Sequence, residues 1–524
     1  MQSAILSDYL LQHFDRQSSV PGNQQLYRLL RKAILTRVLP PEARLPSSRE
    51  LSGELVVCRN TVLYAYQQLL AEGFVEGRSG SGTFVIDTTP SVPVKASTER
   101  RKTPAEVAAA PLPPTLSRRG HELVNHAGAS HQQWGAFVPG VPDVTLFPHT
   151  LWSRLQAKAW RKPTPEVLTY AQGGGHMPLR ESLAEYLKIA RSVECQPEQV
   201  VVTAGIHQSI DLSLRLLSDP GDLAWVEDPG YWGTRNLLRA SGLQIRAIAV
   251  DADGMNPSSE DMQHVPRFIF VTPSHQYPLG SVMGLARRRK LLEYAKAHGC
   301  WIVEDDYDSE FRYSGKPLLS LQGMDSDNRV LYLGTFSKTM FPGLRLGFMV
   351  LPAALVTPFV TGVNELHRAG NVLTQAALAE FIDQGFFASH IRRMRGVYAG
   401  RLHMLQQVIQ HKYGDADGIG ICGSDAGLHL VLQLPAHCDD QAIARDAQQA
   451  GIGVRALSMY YLDPRAAPRG LLLGYGCVAE DQIEPAFAIL ARVINRHLEP
   501  TAKIATGAKV TKTPKNSNLG LGVC

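Results

Sequence analysis

Five short apolar runs, each stopping at a cluster of polar residues, constrain this chain more than any other feature. The runs are Val200 to Thr203, Leu223 to Val226, Phe268 to Thr272, Trp301 to Glu304 and Val330 to Gly334. They lead into Gly205-Ile206-His207-Gln208, Glu227-Asp228-Pro229-Gly230-Tyr231, Ser274-His275-Gln276, Asp305-Asp306-Tyr307-Asp308 and Thr335-Phe336-Ser337-Lys338. Amphipathic helical stretches separate them. Strands that are apolar on both faces and alternate with helices make a mostly parallel sheet covered by helices, the α/β class. In such sheets ligands bind beyond the carboxyl ends of the strands, so the five polar clusters are expected to converge on one site.

The last cluster is the most specific. Ser337-Lys338 follows the apolar strand Val330 to Leu333, and Arg345 stands seven residues beyond the lysine, in Gly343-Leu344-Arg345. A lysine at a strand end in apolar surroundings has its pKa lowered enough to attack an aldehyde and form a Schiff base. An arginine nearby offers a planar fork to a phosphate, and the Thr335 and Ser337 hydroxyls add hydrogen bonds. Pyridoxal chemistry also needs a carboxylate on the pyridine nitrogen, to keep it protonated and electron-withdrawing. Asp305, just after Trp301-Ile302-Val303, is the candidate for that carboxylate, and Tyr307 for a hydrogen bond to the ring hydroxyl. Lys338, Asp305 and Tyr307 are thus the expected catalytic set.

Upstream the pattern changes. Leu26, Leu29, Leu30, Ala33 and Ile34 share one face at helical spacing. In Leu45-Pro46-Ser47-Ser48-Arg49-Glu50 the serine at 47 and the glutamate at 50 have capping-box spacing, and a short helix with Leu51 and Leu55 follows. After a break at Val56 to Cys58, a third helix is expected from about Arg59 to Ala71, with Val62, Ala65 and Leu69 turned inward. Phe74-Val75 and Thr83-Phe84-Val85 flank the glycine-rich run Gly77 to Gly82, a hairpin with a basic tip. No Gly-Lys-Ser/Thr follows that run, which favours a wing over a phosphate loop. In a helix-turn-helix the second helix enters the major groove. Arg59, Asn60, Thr61 and Tyr64 are therefore the candidate readers, with Arg49 near the DNA backbone and Arg78 on the wing. A Pro-, Ala-, Thr- and Ser-rich stretch from Asp87 to Arg119 reads as a linker. The expected organisation is a winged helix over 20–86, a flexible linker over 87–130, a cofactor domain over 131–498 and a disordered basic tail over 499–524.

Several segments carry a resemblance: Phe137-Val138-Pro139-Gly140-Val141-Pro142-Asp143 with Leu146-Phe147-Pro148, Tyr170 with Gly173-Gly174-Gly175, Thr272-Pro273-Ser274-His275-Gln276, and Glu304-Asp305-Asp306-Tyr307-Asp308-Ser309-Glu310-Phe311-Arg312. Together with Lys338 and the Leu-Pro-Ser-Ser-Arg-Glu and Arg-Asn-Thr-Val steps, they resemble the MocR/GabR family. In that family a GntR-type winged helix-turn-helix is fused to a fold-type-I aminotransferase-like domain with large and small parts. The resemblance implies pyridoxal 5′-phosphate as cofactor, an internal aldimine on Lys338, Asp305 on the pyridine nitrogen and Tyr307 at the ring hydroxyl. It further implies that Tyr231 stacks on the ring. Arg345, Thr335 and the backbone amides around Ile206 and His207 would hold the phosphate at a helix start. Tyr170 would reach the phosphate bound by the partner subunit, which requires a homodimer. The chain departs from related aminotransferases at Tyr277-Pro278, where many have Asn-Pro, and near Leu472, where they have the arginine that takes the substrate carboxylate; Arg469 is the nearest substitute. It departs from GntR-type heads at Val56, where the turn glycine is usual, and at Cys58, where the capping serine is usual.

A formal charge of +5 over 524 residues is too slight to argue for nucleic acid by itself, so that case rests on the local patch. The seven cysteines form no CxxC pair and no Cys/His spacing suited to zinc, so no metal site is expected. No run of about 18 apolar residues is present, and a cytoplasmic protein without membrane contact is expected. The function that unites these features is a transcriptional regulator that binds double-stranded operator DNA and senses pyridoxal phosphate, or an amine or amino-acid effector, at Lys338. The alternative is a working aminotransferase carrying a DNA-binding head.

Overall fold

Glu50 N–H donates to Ser47 Oγ (3.2 Å) and Ser47 N–H donates to Glu50 Oε2 (3.3 Å), the reciprocal pair that starts a helix where the sequence places it. This helix belongs to the first of two units, Met1–Pro113 and Pro114–Cys524, in a computed structural model of the chain. The structure describes residues 2–78, 80–87, 116–125, 128, 132–169, 173–313, 319–368, 370–414, 418–423 and 426–498. Tyr170, the tail 499–524 and most of the expected linker lie outside these residues.

The first unit runs α1 (Gln2–His13), α2 (Gly22–Leu35), β1 (Arg44–Leu45), α3 (Ser48–Glu54), α4 (Arg59–Ala71), β2 (Val75–Arg78) and β3 (Gly82–Val85). The strands form an antiparallel sheet in the order β1-β3-β2, which is the wing. Leu26, Leu30, Ala33, Leu51, Leu55, Val62, Ala65 and Leu69 are buried in one core, as their spacing predicts, while Leu29 is only partly covered. Leu6 and Leu10 of α1 join that core, a helix the sequence reading did not anticipate. The α3–α4 turn places Val56 at φ 51°, a left-handed conformation that costs a branched residue roughly 1–2 kcal/mol.

In the second unit an eight-stranded sheet has the order β4-β11-β10-β9-β8-β5-β6-β7. Its strands are β4 (Val200–Thr203), β5 (Leu223–Asp228), β6 (Gln244–Asp251), β7 (Gly254–Met255), β8 (Phe268–Val271), β9 (Trp301–Asp306), β10 (Val330–Thr335) and β11 (Gly347–Val350). Neighbours from β10 through β9, β8 and β5 to β6 are parallel, and β11 runs antiparallel to both β10 and β4. The five expected strands therefore all point the same way and end along one edge. Helices Ile206–Leu217, Trp232–Ser241 and Ala353–His367 cover one face, through a core containing Ile210, Leu214, Leu238, Phe359 and Val363. Helix Leu285–His298 covers the other with Leu291, Tyr294 and Ala295.

A smaller antiparallel sheet follows, ordered β12-β13-β15-β14, from β12 (Gly420–Cys422), β13 (His429–Gln433), β14 (Arg455–Ala456) and β15 (Gly470–Gly474). The long helix Phe386–Tyr413 and the last helix Glu480–Leu498 pack with it in the largest core. Among the described residues no helix is long and apolar enough to cross a membrane, and no group of His, Cys, Asp or Glu could hold a metal ion.

Candidate cofactor site and nucleic-acid face

Sheet register sets out the candidate site. Leu333 pairs with Asp305, Thr335 with Gly347 and Gly347 with Thr203, so three strand ends stand side by side. A Cβ at Gly347 would lie 2.8 Å from Gly205 Cα and from Gly334 O, so only glycine lets the β4–helix turn approach this closely. Gly205 itself holds φ 113° and starts the helix Ile206–Leu217 with no side-chain cap. The first-turn amides of Ile206 and His207 thus begin a helix beside the strand ends.

Lys338 follows β10 and is partly buried. Its Nζ donates to Gly140 O at 2.5 Å. Burial lowers its pKa, against the opposing pull of Asp308 and Asp305, and the charge of Arg455 lowers it further. On the neighbouring strand, alternation sorts three consecutive acids. Glu304 accepts the Leu321 and Gln322 amides at 2.9 and 3.0 Å, and Asp306 pairs with Arg191 at 2.6 Å in a buried ion pair. Asp305, between them, points the other way. Its Oδ1 is shielded from solvent and has no hydrogen-bond partner. Burial pushes this carboxyl up to about 7, with Asp306 adding to the rise and Lys338 opposing it.

An unpartnered, desolvated carboxylate oxygen is costly unless a ligand completes it, and a ring nitrogen carrying a proton is such a ligand. The surrounding groups fit the rest of a pyridoxal phosphate. Tyr307 Oη lies 2.9 Å from His275 Nδ1, which also meets Asp308 Oδ1 at 3.0 Å. Tyr231 Oη lies 2.9 Å from His207 Nε2. Burial, aided by the positive charge of Arg345, lowers the His207 pKa. Thr335 Oγ1 takes the Ser337 amide at 3.2 Å and bonds Ser337 Oγ at 3.1 Å, forming a small hydroxyl cluster beside Lys338. Arg345 is exposed, at φ 52°, and among the described residues no ion pair engages it.

Sequence reading missed four participants. Gly140 lies in the Pro139-Gly140 segment noted for its resemblance, but nothing in its type announces a carbonyl aimed at Lys338. Asp308 and His275 sit in recognised clusters, yet their pairing is visible only in space. Arg455 carries no motif at all; it is the cross-strand partner of Leu472 in the small sheet. Leu472 is fully buried among Val431, Leu457 and Tyr460. Arg469 donates to Pro464 O (2.9 Å) and Arg465 O (3.2 Å), which ties it into its own turn.

On the first unit, Arg49, Arg59, Asn60 and Tyr64 are exposed and Thr61 is half-buried around the start of α4. Cys58 is the N-cap and makes no cap hydrogen bond. Arg59 Nε donates to Ser48 Oγ (3.1 Å), steadying α4 against α3. Arg78 is held across the wing by Glu76 and Glu42, each at 2.7 Å, and lies over the Phe84 ring at 4.6 Å.

Residues 149–470 match the family Aminotransferase class I and II, and residues 23–85 match Bacterial regulatory proteins, gntR family. Solved structures show the same fold for the larger unit. A multiple-substrate aminotransferase from Thermococcus profundus is 24% identical with a TM-score of 0.65, the match covering 73% of this chain and 98% of that one. Along nearly the full length, the chain is similar to the probable rhizopine catabolism regulatory protein MocR of Rhizobium meliloti, 40% identical over 88% of this chain and 91% of MocR. It is also similar to the pyridoxine biosynthesis transcriptional regulator PdxR of Corynebacterium glutamicum, 30% identical over 91% of this chain and 96% of PdxR. The class is thus a gntR-type helix-turn-helix head joined to an aminotransferase-like domain. Within that class, the chain belongs to the MocR family of transcriptional regulators.

Proposed function

We propose that this protein is a pyridoxal 5′-phosphate-dependent transcriptional regulator, a cytoplasmic homodimer that binds operator DNA with its head and senses the cofactor, or an amine or amino acid, at Lys338. The observation that carries the reading is one chain holding both a gntR-type head and the lone Asp305 oxygen next to the strand that bears Lys338. When bound, pyridoxal phosphate supplies an aldehyde that reacts reversibly with primary amines and a ring that withdraws electrons from the carbon it joins.

The chain's own groups then have distinct tasks. Lys338, with its pKa lowered by burial, would be the amine that meets the aldehyde, and Gly140 O orients that amine. Asp305 would hold the proton on the ring nitrogen. Tyr307, steadied by His275 and Asp308, would meet the ring hydroxyl, and Tyr231 would hold the ring itself. Arg345, Thr335, Ser337 and the amides of Ile206 and His207 take the phosphate. Tyr170 of the partner subunit is the remaining phosphate contact that the family resemblance implies. Arg59, Asn60, Thr61 and Tyr64 meet base edges and phosphates, with Arg49 and Arg78 on the flanking backbone. A primary amine bound at Lys338 would change the packing around the site and bias two arrangements of the dimer, altering operator affinity.

Gel-shift titration of the chain on its own promoter, with and without pyridoxal phosphate and candidate amines, tests this. A change in operator affinity with cofactor or amine is expected; promoter binding that is absent under every condition ends the regulator reading. The nearly complete cofactor set also favours a second reading, a working aminotransferase. Rapid amino transfer to the cofactor, followed by turnover with a keto acid, would support it.

A further inference from the structure

A cavity of about 620 Å³ opens in the second unit between helix Trp232–Ser241 and the segment from Gln441 to Pro464. Its walls carry Arg235, Arg239, Arg445 and Arg455, several amide side chains and, among the described residues, no carboxylate. Among the described residues none of the four arginines is in an ion pair, although the charges of Asp228 and Glu122 act on Arg235 and Arg239 from beyond the cavity wall. Arg235 is a strap, donating to Tyr460 O (2.9 Å) and Met459 O (3.2 Å). Arg239 reaches only the Asn236 amide oxygen, at 3.5 Å. Arg455 has the Tyr460 hydroxyl and Gly128 O (3.2 Å). Arg445, exposed on helix Asp440–Gln449, has no side-chain partner among the described residues. Four like charges around one partly enclosed space repel one another and focus a positive field into it, and both effects favour an anion.

The cavity borders the groups around the cofactor site. Tyr460 lines it and meets the Tyr277 hydroxyl at 3.1 Å, and Trp232 on its wall follows Tyr231 directly. Arg455 is the arginine whose charge is felt at Lys338 and Tyr231. Resting on the reading that an amine reaches Lys338, we propose that this cavity is the effector pocket and that its ligand is an amino compound with two acidic groups. One carboxylate is held by Arg455 beside Lys338, and the second acidic group by Arg445 with Arg239. The volume is ample for such a molecule.

The test uses the full chain loaded with pyridoxal phosphate. L-aspartate, L-glutamate and L-2-aminoadipate are titrated against their side-chain amides, which keep shape and lose the second charge. Binding is followed by calorimetry and by the change in tryptophan fluorescence that a Trp232→Phe variant loses, and amine engagement by cofactor absorbance. At least one acid is expected to bind roughly 10-fold tighter than its amide, the weight of a hydrogen-bonded charge. Arg445→Gln should erase that preference while leaving the amide's affinity unchanged. Arg455→Gln should weaken both by roughly 10- to 100-fold. Equal affinity for every acid and its amide, or an Arg445→Gln protein that keeps the preference, overturns the proposal. Because Arg445 is exposed, that variant keeps the test sound if Arg455→Gln fails to fold. Glutarate, which has two acids and no amine, separates the two readings. If glutarate binds and Arg445→Gln abolishes its binding, while no amine disturbs the cofactor absorbance, the acid pocket stands and sensing at Lys338 falls.

Discussion

Two of the helix starts that lack a side-chain cap in this protein serve opposite environments. In the head, α4 begins after Cys58, which makes no cap hydrogen bond, on a surface where Arg59 and Asn60 stand in solvent. In the second unit, helix Ile206–Leu217 begins after Gly205, also uncapped, but against fully buried strands and beside groups whose pKa values burial has moved. Both offer free amides to a phosphate. At the surface the offer is screened by salt and shared over many weak contacts. At the strand ends Gly205 is buried and Ile206 half-buried, so the offer is less screened there and each contact counts for more. Substitutions in the buried site should therefore act by loss of a state, and those in the head by graded changes in affinity.

The largest effect is expected from Lys338→Ala. Covalent cofactor attachment should vanish, seen as loss of protein-bound absorbance after denaturing filtration, while the fold survives, because the lysine makes one polar contact. Aggregation of the variant, or retained covalent cofactor, would contradict the assignment. Next comes Asp305→Asn in cofactor-free protein. The folded carboxyl stays protonated up to about 7, whereas in the unfolded chain it ionises in the ordinary carboxylate range. Between those limits the folded state holds the extra proton, so stability falls as pH rises through the window, by at most about 1.4 kcal/mol per pH unit from one such group. Glu227, Glu304 and Glu310, each raised to about 7 by burial, slope the same way. Asp305→Asn should flatten the fall of the urea midpoint from pH 5 to 7 without abolishing it; an identical slope would place Asp305 in solvent.

On the exposed side, Arg59→Ala should weaken operator binding by roughly tenfold and lower the slope of log affinity against log salt by about 1, with cofactor absorbance untouched. A full-strength salt slope in the variant would remove Arg59 from the DNA contact and break the contrast between the two helix starts.

The same contrast explains what was legible in the sequence. The five parallel strands could be read because each is a branched apolar run cut off by polar residues, and α3 and α4 because Ser47, Glu50 and the spacing of Val62, Ala65 and Leu69 are local signals. Strand β11 was not, since Gly347–Val350 runs into further apolar residues and has no polar stop. Neither was α1, whose Leu6 and Leu10 are buried only by residues distant in sequence. At the candidate site, Asp305 could be chosen among three acids by its position after a strand. Among the described residues it is also the only one of the three with a buried oxygen left unpartnered, a fact that depends on Arg191, Leu321 and Gln322 arriving from elsewhere to meet the other two. Arg455 was illegible for a related reason: its place opposite Leu472 is set by strand register, which no local pattern records.

The smallest predicted effect concerns Cys58 itself. A serine hydroxyl accepts an amide hydrogen bond at an N-cap far better than a thiol, and a good cap is worth about 1 kcal/mol. Cys58→Ser should therefore raise the melting temperature of the head, resolved as its own transition in calorimetry, and leave that of the larger unit unchanged. The backbone at Cys58 already has the extended geometry of a cap, φ −64° and ψ 138°, so the hydroxyl needs no rearrangement to reach the first-turn amides. At Gly205 the same exchange should be harmful, because φ 113° is closed to serine without strain. A Cys58→Ser head that melts no higher than wild type would mean that solvent already satisfies those amides. The two helix starts would then differ in backbone geometry alone.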